Sequence, residues 1–225
     1  MSLHYPINEI FQTLQGEGCQ SGRAAIFVRL QGCPVGCPWC DTRHTWVVTP
    51  ERQVPAEQVL DRSSQSDGWA RMDSQAILHA LQQLGYTAKL VVITGGEPCL
   101  YDLRPLSGAL LEAGYEVQLE TSGTQPILIH PAAWVTVSPK VAMKGGFEVL
   151  DEALARADEI KHPVAREKHI EELDALLARR CHKPNVQIAL QPISQQRQAT
   201  ALAIRTCIER NWRLSAQLHK YLQID

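Results

Sequence analysis

The sequence predicts an α/β fold on a mainly parallel sheet, and three observations carry that reading. Short apolar runs alternate with amphipathic helical stretches along most of the 225 residues, the rhythm of repeated βα units. Right-handed crossovers curl such repeats toward a barrel or an open doubly wound sheet. The polar and reactive residues cluster just after the strands, where α/β proteins place their sites. The length suits one sizeable domain, so a single domain over residues 1–225 is expected.

The first expected strand is 25–30, Ala25-Ile26-Phe27-Val28-Arg29-Leu30. Residues 45–73 are less regular. Ser63-Ser64-Gln65-Ser66-Asp67-Gly68 reads there as an exposed loop, so the segment is expected as a loop or insertion. A helix follows over 74–84, with Ile77, Leu78, Leu81 and Leu84 on one face and Gly85 as its stop. Strand 90–94 leads to helix 103–113, ended by Gly114. Strands 116–120 and 134–137, helix 148–156, strand 159–161, helix 166–179, strand 186–190, helix 196–211 and strand 213–218 complete the order. Glu167, Lys168, Glu171 and Glu172 make the 166–180 stretch a solvated outer face.

Composition narrows the function classes. The chain is 44% apolar and 20% charged, ordinary for a globular protein, and its net charge of −2 offers no basic surface for nucleic acid. No apolar run reaches membrane-spanning length, and Met1-Ser2-Leu3-His4-Tyr5-Pro6 is not built like a signal peptide. A reducing cytoplasm is the expected compartment.

Cys33-Pro-Val-Gly-Cys37-Pro-Trp39-Cys40 is the most informative stretch. Its C-x3-C-x2-C spacing puts three thiols on one loop, just after the first strand. An iron–sulfur cube takes four such ligands, so three leave one iron open for chemistry. The spacing alone also permits a Cys3His zinc site with His44. A disulfide framework does not suit seven cysteines, an odd number, in a chain without a secretory start. Cys19, Cys99, Cys181 and Cys207 read as small buried groups. One βα unit on, Thr94-Gly95-Gly96-Glu97-Pro98 places two glycines where backbone can approach a ligand closely. Before the first strand, Leu14-Gln15-Gly16-Glu17-Gly18 sets a carboxylate between glycines, as either a surface turn or a loop gripping a polar ring.

These motifs, in this order, resemble the radical S-adenosylmethionine (SAM) enzymes, which share the three-cysteine spacing with an aromatic before the last cysteine and the Gly-Gly-Glu-Pro turn. The two chain ends narrow the resemblance. Leu14 to Gly18, Arg29, Asp41-Thr42, and Trp212-Arg213-Leu214-Ser215 through His219-Lys220-Tyr221-Leu222 are similar to the 7-carboxy-7-deazaguanine synthase family over nearly the whole chain. Glycyl-radical activating enzymes share the cluster spacing but give no reason for either end.

The resemblance implies a partial, distorted (β/α) barrel of about six parallel strands. It implies a [4Fe–4S] cluster on Cys33, Cys37 and Cys40, and SAM beside Trp39, Gly95, Gly96, Glu97, Glu120, Ser122, Ser138, Lys140 and Gln191. It implies a 6-carboxytetrahydropterin substrate held by Gln15, Gly16, Glu17, Arg29, Thr94 and His219. In this picture Arg29 pairs with the substrate carboxylate, and Thr42 ligates Mg2+ while Asp41 does not. A flavodoxin-type reductant and a homodimer are also implied, with neither nucleic acid nor membrane as a partner. The family further implies a small or prolyl residue at the extreme carboxyl end, where this chain has Asp225.

Overall fold

In the computed structural model, residues 3–61 and 67–224 are described. One nine-stranded sheet organises them, in the order β3-β1-β2-β4-β5-β6-β7-β8-β9. The strands β2 (Ala24–Leu30), β4 (Leu90–Gly95), β5 (Glu116–Thr121), β6 (Trp134–Val137), β7 (Glu159–Val164), β8 (Gln187–Pro192) and β9 (Arg213–Leu214) run parallel. β1 (His4–Leu14) lies antiparallel on β2, and β3 (Ala70–Asp73) lies antiparallel on β1. The sheet curls without closing, so a partial (β/α) barrel describes it, with six full parallel strands and a two-residue seventh.

The helices α2 (Ser74–Gln83), α3 (Arg104–Glu112), α4 (Asp151–Arg156), α5 (Glu167–Ala178) and α6 (Arg197–Arg210) fall where the apolar periodicity predicts them. Asp73 caps α2 by accepting from Ala76 N. Gly85 and Gly114 end α2 and α3 at φ +63° and +83°, a conformation that costs glycine nothing.

Four expectations are corrected. An 11-residue strand, β1, precedes the strand expected as the first. The 45–73 stretch is more than an insertion: it holds a turn at Pro50–Arg52, the short helix α1 (Ala56–Leu60) and the edge strand β3. Residues 62–66 of the expected loop lie outside the described residues. The last strand stops at Leu214, and Leu218 instead opens the short helix α7 (Leu218–Leu222). β7 runs on to Val164, past the expected end of strand 159–161, so His162 lies inside the strand and is buried.

Strand alternation divides the sheet into two faces. Ile26, Val28, Leu30, Val91, Ile93, Val117, Leu119, Val135, Val137 and Ile160 face the helices and form the main core. Ala25, Leu90, Val92 and Phe27 form a small apolar cluster on the other, concave side. Further round that side the strands present Gln118, Glu120, Thr136, Glu159 and Lys161 instead. The core stabilises the barrel, and the polar half of the concave face is reserved for the site. Among the described residues no helix is long and apolar enough to cross a membrane.

Candidate active site

A cavity of about 420 Å³ fills the concave side, within the usual size range for small-molecule sites. It is lined by Cys33, Cys37, Trp39, Cys40 and Thr42, by Thr94, Gly95, Gly96 and Glu97, by Glu120, Ser122, Ser138, Lys140 and Gln191, and by Gln15, Gly16, Glu17, Arg29 and His219. Residues from both ends of the chain and from most of the strands between are thus brought to one space.

The thiol loop forms the rim and is held from three sides. Gly32 N and Cys33 N donate to Thr45 O and Trp46 O (2.7 and 2.9 Å), and Gly145 N donates to Val35 O (3.0 Å). Trp46 Nε1 donates to Cys40 Sγ at 3.3 Å, and the ring of Trp39 lies 6.5 Å from that of His169. Burial pushes the Cys33 thiol up to about 11 and raises that of Cys37 as well, so a bound cation is needed to hold them as thiolates. Thr42 Oγ1 sits 3.6 Å from Cys40 Sγ. His44 is exposed and does not line the cavity, and among the described residues no three His, Cys, Asp or Glu side chains are gathered to hold a single ion.

The Gly95-Gly96 turn lies flat against this loop. Gly96 N donates to Leu30 O (2.8 Å) and Glu97 N to Gly32 O (2.7 Å). A Cβ at Gly96 would stand 2.1 Å from Gly32 O, so only glycine permits the approach. Glu97 is 1% exposed and its carboxylate is well occupied. It accepts from Cys99 N (3.0 Å), Thr121 Oγ1 (2.6 Å), Ser122 N (2.8 Å) and Ser122 Oγ. It therefore ties the turn to the end of β5. Ser138 accepts from Lys140 Nζ through both its carbonyl and its hydroxyl (2.9 and 2.5 Å).

The floor comes from the reversed strand. Because β1 runs against β2, its last residue, Leu14, pairs with Ala24 at the foot of the barrel. The chain then crosses beneath the parallel strands as Gln15-Gly16-Glu17-Gly18. Gln15 Nε2 donates to Gln118 Oε1 (3.2 Å), Cys19 N donates to Glu159 Oε1 (2.9 Å), and Gly18 N donates to Ser215 Oγ (2.9 Å). The segment after β9 closes the gap left by the open sheet. Leu218 N donates to Gly16 O at 2.9 Å, and His219 packs so closely that a Cβ on Gly16 would lie 2.7 Å from its Nδ1. Arg29 lines the cavity with its Nε on Glu9 Oε1 (2.5 Å). Asp225 lies outside the described residues.

No protein-family model matches the chain. Curated relatives do. The 7-carboxy-7-deazaguanine synthase of Escherichia coli K12 is 57% identical over 223 residues, spanning 99% of this chain and 100% of that protein. The synthase of that name from Buchnera aphidicola is 44% identical over 222 residues, with the same two spans. That from Synechocystis is 34% identical over 230 residues, covering 100% of this chain and 95% of the other. The chain belongs to the 7-carboxy-7-deazaguanine synthase family. A solved structure of QueE from Escherichia coli superposes with a TM-score of 0.92 at 56% identity, covering 95% of this chain and 94% of that one. The unclosed barrel is thus an architecture seen in a solved structure as well.

Lys161 and Gln217 line the cavity and escape a motif-led reading of a deazaguanine-synthase sequence. Lys161 Nζ, 5% exposed, donates to Glu17 Oε2 (2.7 Å) and Glu120 Oε2 (2.9 Å). Gln217 Nε2 and Gln191 Nε2 donate to Glu17 Oε1 (2.9 and 3.2 Å). Gln118 Nε2 donates to Glu120 Oε1 (3.0 Å). Glu120 and Gln191, expected beside SAM, are thereby tied into the same network as the floor residue Glu17. A signal for Lys161 was present: Glu159 and Lys161 stand two apart in a strand, and so point together to one face.

The network splits its carboxylates. Burial opposes ionisation of Glu17, but the Lys161 ammonium and the Gln217 bond outweigh it and hold the carboxyl at about 2. Burial, reinforced by Glu17 and Glu159, pushes Glu120 up to about 7 despite Lys161. The folded protein therefore keeps the Glu120 proton to about pH 7, while an unfolded chain releases it near pH ~4.3. The native state binds the extra proton between those values, so this group's contribution to stability is present at low pH and is lost as pH rises through about 7. We expect Glu120→Gln to gain Tm relative to wild type, by on the order of a few °C, between about pH 5.5 and 8. Thermal melts of both metal-free proteins across that range would check it, and a constant difference would show that Glu120 does not titrate there.

Proposed function

We propose that this chain converts 6-carboxy-5,6,7,8-tetrahydropterin to 7-carboxy-7-deazaguanine with loss of ammonia, a step toward preQ0 and the queuosine of tRNA. One observation carries the reading: a single cavity joins a three-thiol rim to the Gln15-Gly16-Glu17 floor and the His219 segment, in a chain of the deazaguanine-synthase family.

The donor set at the rim fits an iron–sulfur cube better than a zinc ion. Each thiolate of a cube binds a different iron, so the three sulfurs need not converge on one point, and no histidine completes a closed tetrahedron. Cys33, Cys37 and Cys40 would hold the cluster. Gly95, Gly96, Glu97, Ser122, Ser138 and Lys140, with Trp39 at the edge and Glu120 and Gln191 deeper, would bracket SAM. Thr42 would give Mg2+ its one protein hydroxyl, consistent with an ion that keeps water or substrate oxygens. When bound, cluster and SAM supply the radical that takes hydrogen from the substrate and returns it. The chain's own residues orient the substrate. Gln15 and Glu17 present an acceptor-rich edge to the pterin's amide and amine. The Arg29 fork meets its carboxylate, while Thr94 and His219 wall the ring. A flavodoxin-type reductant, a homodimer and a cytoplasmic setting complete the proposal.

Anaerobic turnover tests it. The protein is reconstituted with iron and sulfide, supplied with SAM, dithionite, Mg2+ and 6-carboxytetrahydropterin, and the product is followed by mass. We expect 7-carboxy-7-deazaguanine, formed more slowly without Mg2+. A brown protein that cleaves SAM without making a deazaguanine would overturn the substrate assignment. A colourless protein containing zinc would overturn the cofactor as well.

A further inference from the structure

Lys161 is assigned no task by the sequence motifs, yet it holds the floor together. Its ammonium is shared between Glu17 Oε2 and Glu120 Oε2. Glu159, two residues back on the same strand face, adds a third negative neighbour while bonding downward to Cys19 N and Thr136 Oγ1. Through Glu17, Lys161 connects to Gln217 and Gln191. Through Glu120 it connects to Gln118, and from there to Gln15. The three floor and wall side chains that face the ligand, Gln15, Glu17 and Glu120, are therefore fixed relative to one another by one cation and one amide.

Stability alone gives little reason for this arrangement. A buried ion pair is often no better than an apolar pair of the same volume, because both charges lose their hydration. Two carboxylates converging on one lysine are less favourable still. What the arrangement does provide is a carboxylate held rigidly in its charged form beneath a ligand.

We propose that Lys161 is a positioning residue: by dividing its ammonium between Glu17 and Glu120 it orients both carboxylates and keeps Glu17 an acceptor for the N–H edge of the bicyclic ligand. This rests on the deazaguanine-synthase reading of the cavity. The charged and titratable groups around the ammonium are Glu17 and Cys19 from the floor, Glu120 from β5, Lys140 beyond β6, Glu159 from β7 and, past Glu17, His219 from α7. Above about pH 7, where Glu120 has lost its proton, four of these besides Lys161 are formal charges, three of them negative. Removing the ammonium leaves Glu17 buried among carboxylates, so its own carboxyl must take a proton as pH falls. Ligand binding then acquires an acid limb from Glu17 that the native protein, whose Glu17 stays charged, lacks.

The test uses the full chain, reconstituted anaerobically, as wild type, Lys161→Met, Lys161→Arg and the double variant Lys161→Met/Glu120→Gln. The probe is 7-carboxy-7-deazaguanine, bound at equilibrium by calorimetry from about pH 6 to 8.5, beside turnover, iron content and SAM cleavage. For Lys161→Met we expect iron content unchanged and binding weakened roughly tenfold or more near pH ~6.5. Its affinity should recover as pH rises, and KM should increase more than kcat falls. Lys161→Arg should restore much of the affinity and remove the acid limb. The double variant should regain Tm without regaining affinity, separating folding from positioning. Unchanged affinity and pH profile in Lys161→Met would overturn the proposal. So would joint loss of iron, SAM cleavage and Tm that Lys161→Arg fails to rescue, which marks a purely structural residue. A wild-type protein that neither binds nor makes the deazaguanine would instead overturn the reading of the cavity, and the proposal with it.

Discussion

Replacing Cys37 with alanine is expected to abolish turnover while leaving a folded protein. Cys37 is 8% exposed and sits midway along a loop whose shape is fixed elsewhere, by the Gly32, Cys33 and Val35 backbone bonds. Removing one buried sulfur from that loop costs about 1 kcal/mol of packing, the scale of a small apolar group. The chemical cost is of another order. With three thiolates a cube keeps one open iron, and with two it is not held. The variant should therefore lose its brown colour and its SAM cleavage together, with Tm within a few degrees of the cluster-free wild type. Iron analysis, absorbance and a thermal melt on one preparation would decide. A variant that retained iron and activity would mean the cluster is held by other residues.

Gly95→Ala is expected to be the most damaging small substitution. Gly95 adopts φ +118°, a conformation that side-chain-bearing residues rarely take. An added Cβ would also fall 2.3 Å from both N and O of Leu30. Those are backbone atoms of the neighbouring strand, paired in register with Gly95, and they cannot swing aside. Strain and overlap together should cost at least about 3–4 kcal/mol. The damage is local to function as well, since Gly96 N and Glu97 N bond to Leu30 O and Gly32 O on the approach to the thiol loop. Urea denaturation would show a lower midpoint with an unchanged slope. Gly85→Ala offers a control, because open space surrounds that position and only its φ is unfavourable.

What the sequence discloses about this molecule follows from how each feature is encoded. The βα rhythm is written in apolar periodicity, so β2, β4, β5 and β6 and the helices α2 and α3 are readable to within a residue, and α4 to within three. β1 is disguised. Pro6 and the buried Asn8 interrupt its apolar pattern, and its register shifts between Ile7 and Glu9, which hides a strand from any two-residue alternation. β9 is over-read because Leu214 and Leu218 look like strand residues. The segment turns inward instead, where Ser215 and Gln217 find partners 197 and 200 residues away. The cavity lining was legible because glycines, thiols and carboxylates after strands have few other uses. Lys161 was only faintly so: its spacing from Glu159 puts both on one face, but a lysine inside a strand looks like a solvated edge until the curvature of the sheet shows which way that face points.

The reversed first strand has a consequence for how the protein is made. Glu17 appears early on the ribosome, and Gln217, which helps hold it, appears 200 residues later. Until then the floor has its amino-terminal half alone, with a buried-to-be carboxylate still in water. The reaction chamber therefore cannot exist on any nascent fragment. Its closure is among the most sequence-distant contacts in the chain, the kind that forms late and slowly. An iron–sulfur centre inserted before that moment would sit at an open trough, accessible to oxygen from the side. The order of synthesis thus favours a thiol loop that waits, reduced and metal-free, until the chain's two ends have met.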